Sequence, residues 1–338
     1  MKDLLCIDIL IRVPLNKFFT YKSNIKTKIG SVVKIPFGNN NEIVKGIVIS
    51  RPYNKKSNFQ IKEIISVESY ESILSDPQLE LLNWSSSYYL VGLPKIFNSI
   101  FSKNILDINP DEQSHQKISQ KNKNYKTNLV VDHSKNIIPN IINEVKSNPN
   151  YNQILILCPN SYKTQSTYNV LSKQCKDIYI YDSKTSPRDK IKIWKAILKN
   201  EKIIILGSKS AVFLPFIDLK KIYVIYEHNY LYKETDKVLR FNARDCAVFL
   251  SKIHMCDIDL ISDSPSLESM YNAKKNKFKF YDKSKKLKLK TDLKRISIHN
   301  KLENKLKNKI DGLISLDILN RIKTNYEKNQ KSVVFTPY

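Results

Sequence analysis

The sequence has little glycine, with six glycines in 338 residues and none between residues 93 and 206. Glycine allows backbone amides to approach a phosphate closely, which is why phosphate-binding loops of nucleotide-hydrolysing proteins are rich in it. The middle of the chain therefore lacks the residue type from which such a loop is built.

Cysteine and long apolar stretches are also scarce. The five cysteines are odd in number and contain no CxxC pair, which argues against a disulfide framework or a zinc ribbon and predicts buried free thiols. No run of about 18 apolar residues is present, so we expect no transmembrane helix. The first residues, MKDLLCIDILIRV, carry acids within their apolar stretch and do not resemble a signal peptide, so we expect a cytoplasmic protein.

Positive charge is abundant. Lysine and arginine number 57 against 32 acidic residues, which gives a formal net charge of +25. Such a charge attracts polyanions and favours nucleic-acid binding. Lysine supplies most of it, and AT-rich codon usage is an alternative source of part of this excess.

Residues 1–103 predict a small β-rich domain closed by a helix. β-Branched content predicts strands, with a turn at Pro36-Phe37-Gly38-Asn39. Leu79–Tyr89 has helical spacing after the capping sequence Ser75-Asp76-Pro77. The predicted strands are 3–14, 31–36, 45–51 and 61–67.

Residues 126–272 alternate short apolar runs with segments of helical length. This alternation predicts an α/β fold with a doubly wound, mostly parallel sheet. Residues 104–125 are polar and predict a linker. The predicted strands are 128–132, 153–158, 178–181, 203–206, 222–226 and 258–261, and the predicted helices are 137–147, 164–174, 187–199 and 242–254.

Four stretches of this α/β region occur in a telling order: GSKSAVFLPF, IYEHN, RFNARD and SDSPSLES. In order and spacing they resemble the first motor lobe of the PriA family of replication-restart helicases. The resemblance implies a RecA-like helicase lobe at 126–272. Residues 273–338 contain 19 basic and 6 acidic residues and are predicted to form a basic segment followed by the start of an incomplete second lobe. Within this region we predict a helix at 313–326 and a strand at SVVFTP.

The N-terminal region resembles the DNA 3′-end-binding domain of the same family. The matching stretches are VPLNKFFTY, KIGSVVKIPFGNNN and WSSSYYLVGLPKIFNSIF. By this resemblance Phe19, Thr20, Gly38 and Lys62 form a pocket for the terminal nucleotide, where Phe19 stacks on the base and Lys62 meets a phosphate. Thr20 stands where the family usually has aspartate. The alternatives are that Phe19 is a core aromatic, that Gly38 only serves the turn and that Lys62 is a solvated lysine.

The nucleotide site implied by the resemblance is altered at the residues that perform its chemistry. Ser134 and Lys135 follow the first strand of the lobe without the glycines of a phosphate-binding loop. Ile225 and Tyr226 replace the two acids that hold Mg²⁺ and activate water, whereas Glu227 and His228 remain one step beyond. We therefore expect a degenerate nucleotide site, no catalytic residue and no ATP hydrolysis.

Several strand-end residues are candidate DNA contacts, because phosphate contacts need only hydrogen-bond donors and positive charge. Ordinary strand-end loops are the alternative for each of them. The candidates are Gly207, Ser208, Lys209 and Ser210, together with Pro159, Asn160, Ser161 and Thr164 in the stretch that resembles a DNA-contact motif.

The leading hypothesis is a DNA-binding replication-restart protein that acts near a 3′ end at forked DNA without ATP hydrolysis. One alternative is an active ATP-dependent 3′-to-5′ DNA helicase, and another is a non-catalytic scaffold that docks proteins of the primosome. The expected partners are forked DNA or a junction of single and double strands, and primosome proteins, with no membrane. We expect no bound ATP or Mg²⁺, and no zinc sites or other metal.

Overall fold

The computed structural model describes residues 3–108, 124–133, 136–235, 238–283, 310–311 and 314–334. The chain forms two compact units, Met1–Lys285 and Lys286–Tyr338. Within the described residues, no helix has the length and apolar character needed to cross a bilayer.

The N-terminal part of the first unit is a six-stranded antiparallel sheet. Its strands follow one another in the order β2-β1-β4-β3-β6, with β5 paired to the first half of β1. One face carries a cluster of isoleucines and valines that are almost fully buried. The strands are β1 (Asp3–Ile11), β2 (Phe19–Lys22), β3 (Val32–Phe37), β4 (Glu42–Val48), β5 (Tyr53–Lys56) and β6 (Ser66–Ser69).

Three of the four strands predicted in this region are confirmed with small shifts of their bounds. The fourth prediction, 61–67, was largely wrong, because the strand runs from Ser66 to Ser69. β2 and β5 were missed. Both have only four residues and β5 is mostly exposed, so neither carries the apolar alternation that marks a strand in sequence.

The predicted helix after this sheet is confirmed as α1 (Asp76–Tyr88), and Ser75 caps it by accepting a hydrogen bond from the Gln78 amide. A second helix, α2 (Leu93–Ile100), was not predicted. Residues 103–107 then form a short 3₁₀ helix, and Ile105 and Ile108 are buried. The segment predicted as a linker therefore begins with residues that pack into the core.

The rest of the first unit is an α/β lobe around a seven-stranded sheet in which every pairing is parallel. The strand order is β13-β7-β12-β11-β8-β10-β9. The predicted α/β class with a doubly wound parallel sheet is confirmed. The strands are β7 (Thr127–Val131), β8 (Gln153–Leu157), β9 (Ile178–Tyr181), β10 (Ile203–Gly207), β11 (Leu219–Ile225), β12 (Asp257–Ser262) and β13 (Lys279–Asp282).

Helices cover both faces of this sheet. Along β8, Ile154 and Ile156 pack with α3 and α4, whereas Leu155 and Leu157 pack with α5 and α6, as the alternation of side chains in a strand requires. All four predicted helices are confirmed within three residues at their ends. The helices are α3 (Ile137–Ser147), α4 (Ser161–Leu171), α5 (Pro187–Leu198), α6 (Ala243–His254) and the unpredicted α7 (Leu267–Lys274).

The basic run after residue 272 contributes to the same sheet. Lys279–Asp282 forms β13, which pairs in parallel with β7 at the sheet edge. The sequence predicted only a basic segment there, because lysines interrupt its apolar positions. The parallel sheet therefore extends past the predicted end of the lobe.

Aromatic and amide contacts join the antiparallel sheet and its helices to the α/β lobe. Trp84 of α1 stacks on Phe249 of α6, with ring centroids 4.3 Å apart. Gln78 Nε2 donates to the carbonyl of Phe213 at 2.6 Å. The WSSSYY stretch therefore holds α1 against the lobe.

All five cysteines are free, and all but Cys175 are buried, as predicted. Burial raises the pKa of Cys158 to about 11, although its side-chain hydrogen bonds with Thr167 and Thr164 oppose this shift. Its thiol is therefore protonated at neutral pH and a poor nucleophile.

The second unit contains a short antiparallel pair, β14 (Ile310–Asp311) with β15 (Ile314–Ser315), and the helix α8 (Leu316–Glu327). The helix predicted at 313–326 is confirmed with a small shift. The strand predicted at SVVFTP is not formed at residues 332–334, and the rest of that prediction lies outside the described residues.

A buried ammonium group, that of Lys221 in β11, pairs with two carboxylates of the lobe. Lys221 Nζ lies 2.9 Å from Glu144 Oε1 and 3.0 Å from Asp259 Oδ1. Burial alone lowers the pKa of Lys221, but the two carboxylates outweigh it and raise the pKa. The pairing is therefore complete at neutral pH and is lost only as the pH rises through this alkaline pKa.

We predict that Lys221→Met lowers the free energy of unfolding in urea by about 2–3 kcal/mol, because it leaves two carboxylates unpaired in a poorly solvated place. Lys202→Met is the matched control, since Lys202 is exposed and its ammonium group donates to the carbonyl of Pro149 and not to a buried carboxylate. Equal losses in the two variants would contradict this account of the buried pair.

Candidate nucleic-acid interface and altered nucleotide site

Phe19 lies in β2 at the edge of the antiparallel sheet and is partly exposed. Its ring meets Phe37 edge to face, with centroids 5.1 Å apart, and Lys17 Nζ lies 5.2 Å from its centroid. The aromatic ring thus belongs partly to the sheet's apolar cluster and partly to the surface. Phe19 therefore has features of both interpretations: an exposed part that could stack on a base and a part that packs in the core.

Gly38 follows Phe37 in the turn between β3 and β4. Its φ is +71°, a region that favours glycine, and no atom lies within 4 Å of where a Cβ would stand. Lys62 Nζ donates to the Gly38 carbonyl at 2.6 Å. Phe19 therefore contacts Phe37, and the next residue, Gly38, accepts from Lys62, so this lysine is linked to the aromatic pair through the turn.

Thr20 takes part in a different set of contacts. Its hydroxyl donates to Asp8 Oδ1 at 2.9 Å, and Tyr53 also donates to Asp8 Oδ1 at 2.9 Å. Lys55 Nζ donates to the Thr20 hydroxyl at 3.3 Å. A carboxylate thus lies next to the position where the resemblance implies one, although it comes from the neighbouring strand.

Gly207 ends β10, and the short 3₁₀ helix Lys209–Phe213 follows it closely. A Cβ at Gly207 would come within 2.1 Å of the Ala211 side chain, so the glycine permits this close approach. Lys209 Nζ pairs with Glu234 Oε2 at 3.2 Å. Ser208 and Ser210 are partly exposed, and the charge of Lys209 is partly offset at this strand end.

Two residues of the stretch predicted to contact DNA, Asn160 and Thr164, stabilise the start of α4. Asn160 caps α4 by accepting from the Lys163 amide, and Thr164 is buried and donates to the Asn160 carbonyl. The Thr164 side chain is therefore turned inward, which contradicts its prediction as a DNA contact. Ser161 remains partly exposed.

The end of β11 carries no free acid at the first two positions of the altered motif. Ile225 is buried, and its carbonyl accepts from the Tyr232 hydroxyl at 2.7 Å. Tyr226 has a φ of +57°, which is unusual for a residue with a side chain. Lys163 Nζ lies 5.0 Å from the centroid of its ring. Neither side chain supplies an oxygen ligand of the kind that Mg²⁺ prefers.

Glu227 has a fully buried carboxylate that is held by donors from three segments. Its Oε1 accepts from the Ser266 amide at 2.7 Å, and its Oε2 accepts from the Ser269 hydroxyl at 2.9 Å. Arg244 in α6 donates to Oε2 at 3.1 Å and also reaches Asp245. The carboxylate therefore joins β11, α6 and the start of α7, and its oxygens are already occupied by protein donors.

His228 lies beside the end of β12. Its Nδ1 is 2.6 Å from the Ser262 hydroxyl, which also accepts from the Ser264 amide. Asp263 Oδ1 is 3.8 Å from the same nitrogen. His228 thus links the end of β11 to the SDSPS loop.

The remaining residues of the predicted nucleotide site, Ser134 and Lys135, lie outside the described residues. Asp132 directly follows β7, and its amide donates to the Ser262 carbonyl. Among the described residues, no group of three or more His, Cys, Asp and Glu side chains is placed to hold a metal ion.

Sequence reasoning missed three participants in these contacts. Arg244 was noticed within RFNARD, but nothing in the sequence showed that it pairs with Glu227. Asp8 and Tyr53 were not singled out, because only the register of β1 with β2 and β5 brings them to Thr20.

Comparisons with known proteins agree with this architecture. Residues 8–102 match the PriA family model described as a 3′DNA-binding domain. The replication restart protein PriA of Rickettsia prowazekii is 27% identical, covering 96% of this chain and 53% of that protein. The PriA of Borreliella burgdorferi is also 27% identical, covering 97% of this chain and 53% of that protein. The chain thus spans about half the length of these curated relatives.

Solved structures that resemble the chain include Mss116p DEAD-box helicase domain 2, with a TM-score of 0.28 and 14% identity over 43% of this chain and 66% of that one. The antiparallel sheet and the parallel lobe define an α/β protein with a β-rich N-terminal domain. The chain is a PriA-like protein, as its sequence predicted.

We predict that Glu227→Gln lowers the free energy of unfolding by about 2–4 kcal/mol, because it removes the charge that is surrounded by Arg244, the amide and hydroxyl of Ser266 and the hydroxyl of Ser269. Asp263→Asn is the control, since that carboxylate is half exposed and is not enclosed by donors. Urea denaturation measures both changes, and a loss below about 1 kcal/mol in Glu227→Gln would contradict a structural role for this carboxylate.

Proposed function

We propose that the chain is a replication-restart protein that binds forked DNA near a 3′ end and does not hydrolyse ATP. The observation that carries the proposal is the match of residues 8–102 to a 3′DNA-binding domain, together with the contacts that join Phe19 to Lys62 within that region.

The chemistry of this surface supports binding of a DNA end. A partly exposed phenylalanine offers a stacking face that accepts any base, and Lys62 places an ammonium group within reach of a phosphate. The net charge of +25 adds attraction that does not depend on sequence. The position of a Cβ at Gly38 is open, so the turn itself adds no side chain beside the lysine.

The end of β11 supports the absence of hydrolysis. Phosphoryl transfer needs an acid that holds Mg²⁺ and a group that orients the attacking water. Ile225 is apolar and buried, and Tyr226 is a poor substitute for a carboxylate. The nearest acid, Glu227, is fully buried and is already neutralised by Arg244.

The proposal also covers the cofactors, the cellular location and the partners of the protein. It acts without ATP, Mg²⁺ or zinc as a cofactor, in the cytoplasm, on forked DNA or on a junction between single and double strands. Primosome proteins are its further partners, and the basic residues of 273–338 strengthen its hold on DNA in a salt-dependent way.

We predict that Phe19→Ala weakens binding to a fork with a free 3′ end by about 5- to 100-fold, the range expected for losing one stacked base. Lys62→Ala weakens binding less and reduces the slope of log affinity against log salt by about 1. Fluorescence anisotropy with labelled forks at several salt concentrations measures both effects.

Matched controls separate this site from general charge and general apolar surface. Phe18→Ala removes the neighbouring, more exposed phenylalanine, and Lys26→Ala removes an exposed lysine of the same unit. Both controls keep the affinity within about twofold if the proposed site binds the end. Equal losses in Phe19→Ala and Phe18→Ala would argue that only non-specific attraction operates.

We further predict no phosphate release from ATP in the presence of Mg²⁺ and single-stranded or forked DNA. A coupled phosphate assay measures this, with EDTA as the metal-free baseline. Turnover that depends on DNA and disappears with EDTA would overturn the proposed absence of hydrolysis and favour an active helicase.

A further inference from the structure

Asp8 lies in β1 directly opposite Thr20 of β2. The two residues are partners in the antiparallel register, so their side chains project to the same face of the sheet. The 2.9 Å contact between the Thr20 hydroxyl and Asp8 Oδ1 joins them. An acid is therefore present at this point of the edge, although the edge strand itself contributes a threonine.

The hydrogen bonds around Asp8 leave room for another donor. Thr20 and Tyr53 both donate to Oδ1. Burial raises the pKa of Tyr53, so its phenol keeps the proton that it donates. A carboxylate has about four acceptor positions. Among the described residues, no side chain is placed to donate to Oδ2.

The acid lies one strand in from the sheet edge, beside the edge strand β2. β2 ends the path of strands, and residues 62–64 hydrogen-bond to it only at Lys22 within the described chain. Because successive side chains of a strand alternate between faces, Phe19 and Thr20 lie on opposite sides of this edge. A nucleotide bound along the edge can stack on one side chain and present its sugar to the other.

A terminal sugar differs from an internal one by its free 3′-hydroxyl, which donates a hydrogen bond. Asp8 only accepts hydrogen bonds, and Thr20 has an acceptor position left after it receives Lys55. A 3′-phosphate has no comparable donor when ionised and carries negative charge, which Asp8 repels. The chemistry of the Asp8 and Thr20 pair thus selects a hydroxyl over a phosphate.

We infer that Asp8 is the acid of the 3′-end site, and that it recognises the terminal 3′-hydroxyl of a DNA strand together with Thr20. This inference rests on the proposed function and assigns its end specificity to a residue of β1. Lys55 lies beside the pair and offsets part of its charge.

The test compares forks that are identical except for the leading-strand end, which carries either a 3′-hydroxyl or a 3′-phosphate. Asp8→Asn keeps the size of the side chain and lowers the preference for the hydroxyl end by about tenfold, the size expected for one hydrogen bond to a charged group. Glu80→Gln is the charge-matched control, because Glu80 is exposed on α1 and leaves the preference unchanged.

Two further variants keep the test decisive. Thr20→Val retains the side-chain volume, removes the hydroxyl and lowers the preference in the same direction. The double variant Asp8→Asn with Thr20→Asp moves the carboxylate to the opposite strand and restores the preference. Circular dichroism melting shows whether each variant is folded, and if Asp8→Asn is unfolded, the other two variants decide.

The outcomes distinguish a failure of the role assigned to Asp8 from a failure of the proposed function. A chain that prefers the hydroxyl end, and keeps this preference in folded Asp8→Asn and Thr20→Val, overturns the role of Asp8 but leaves the proposed function standing. A chain that binds both ends equally overturns end recognition itself. Loss of preference in Asp8→Asn with full preference in Glu80→Gln supports the inference.

Discussion

The buried carboxylate of Glu227 is the interaction on which the strand ends of the lobe depend. A charge removed from water is tolerated only with close partners, and here Arg244 together with the Ser266 and Ser269 donors supplies them. These partners belong to α6 and to the start of α7, so neutralising one charge fixes the ends of β11 and β12 relative to two helices.

Much of the fold could be predicted from the sequence. The apolar runs of the lobe are buried on both faces and therefore carry a strong pattern, and caps such as Ser75 and Asn242 mark helix starts by a local mechanism. β2, β5 and β13 were missed because they are short and lie at or near sheet edges, where exposure removes the apolar alternation. Edge strands are defined by their neighbours more than by their own residues.

The candidate site was less predictable for the same reason. Phe19, Gly38 and Lys62 were found through stretches that resemble a family, and the structure joins them through Phe37. The contact between Asp8 and Thr20 links positions twelve residues apart. It exists only in one register of β1 against β2, because a shift by one residue would turn Asp8 to the other face. No periodicity in the sequence reports that register, so the acid was overlooked.

Neighbouring residues at the end of β11 differ in how strongly the fold depends on their side chains. Ile225, Tyr226 and Glu227 are consecutive, yet only Glu227 is tied into the fold by its side-chain charge. The left-handed backbone at Tyr226 is tolerated because the surrounding hydrogen bonds hold it. Replacing the third would leave Arg244 facing a weaker partner inside the protein. The demand of the fold for a charged side chain therefore falls on Glu227 and not on the two residues that precede it.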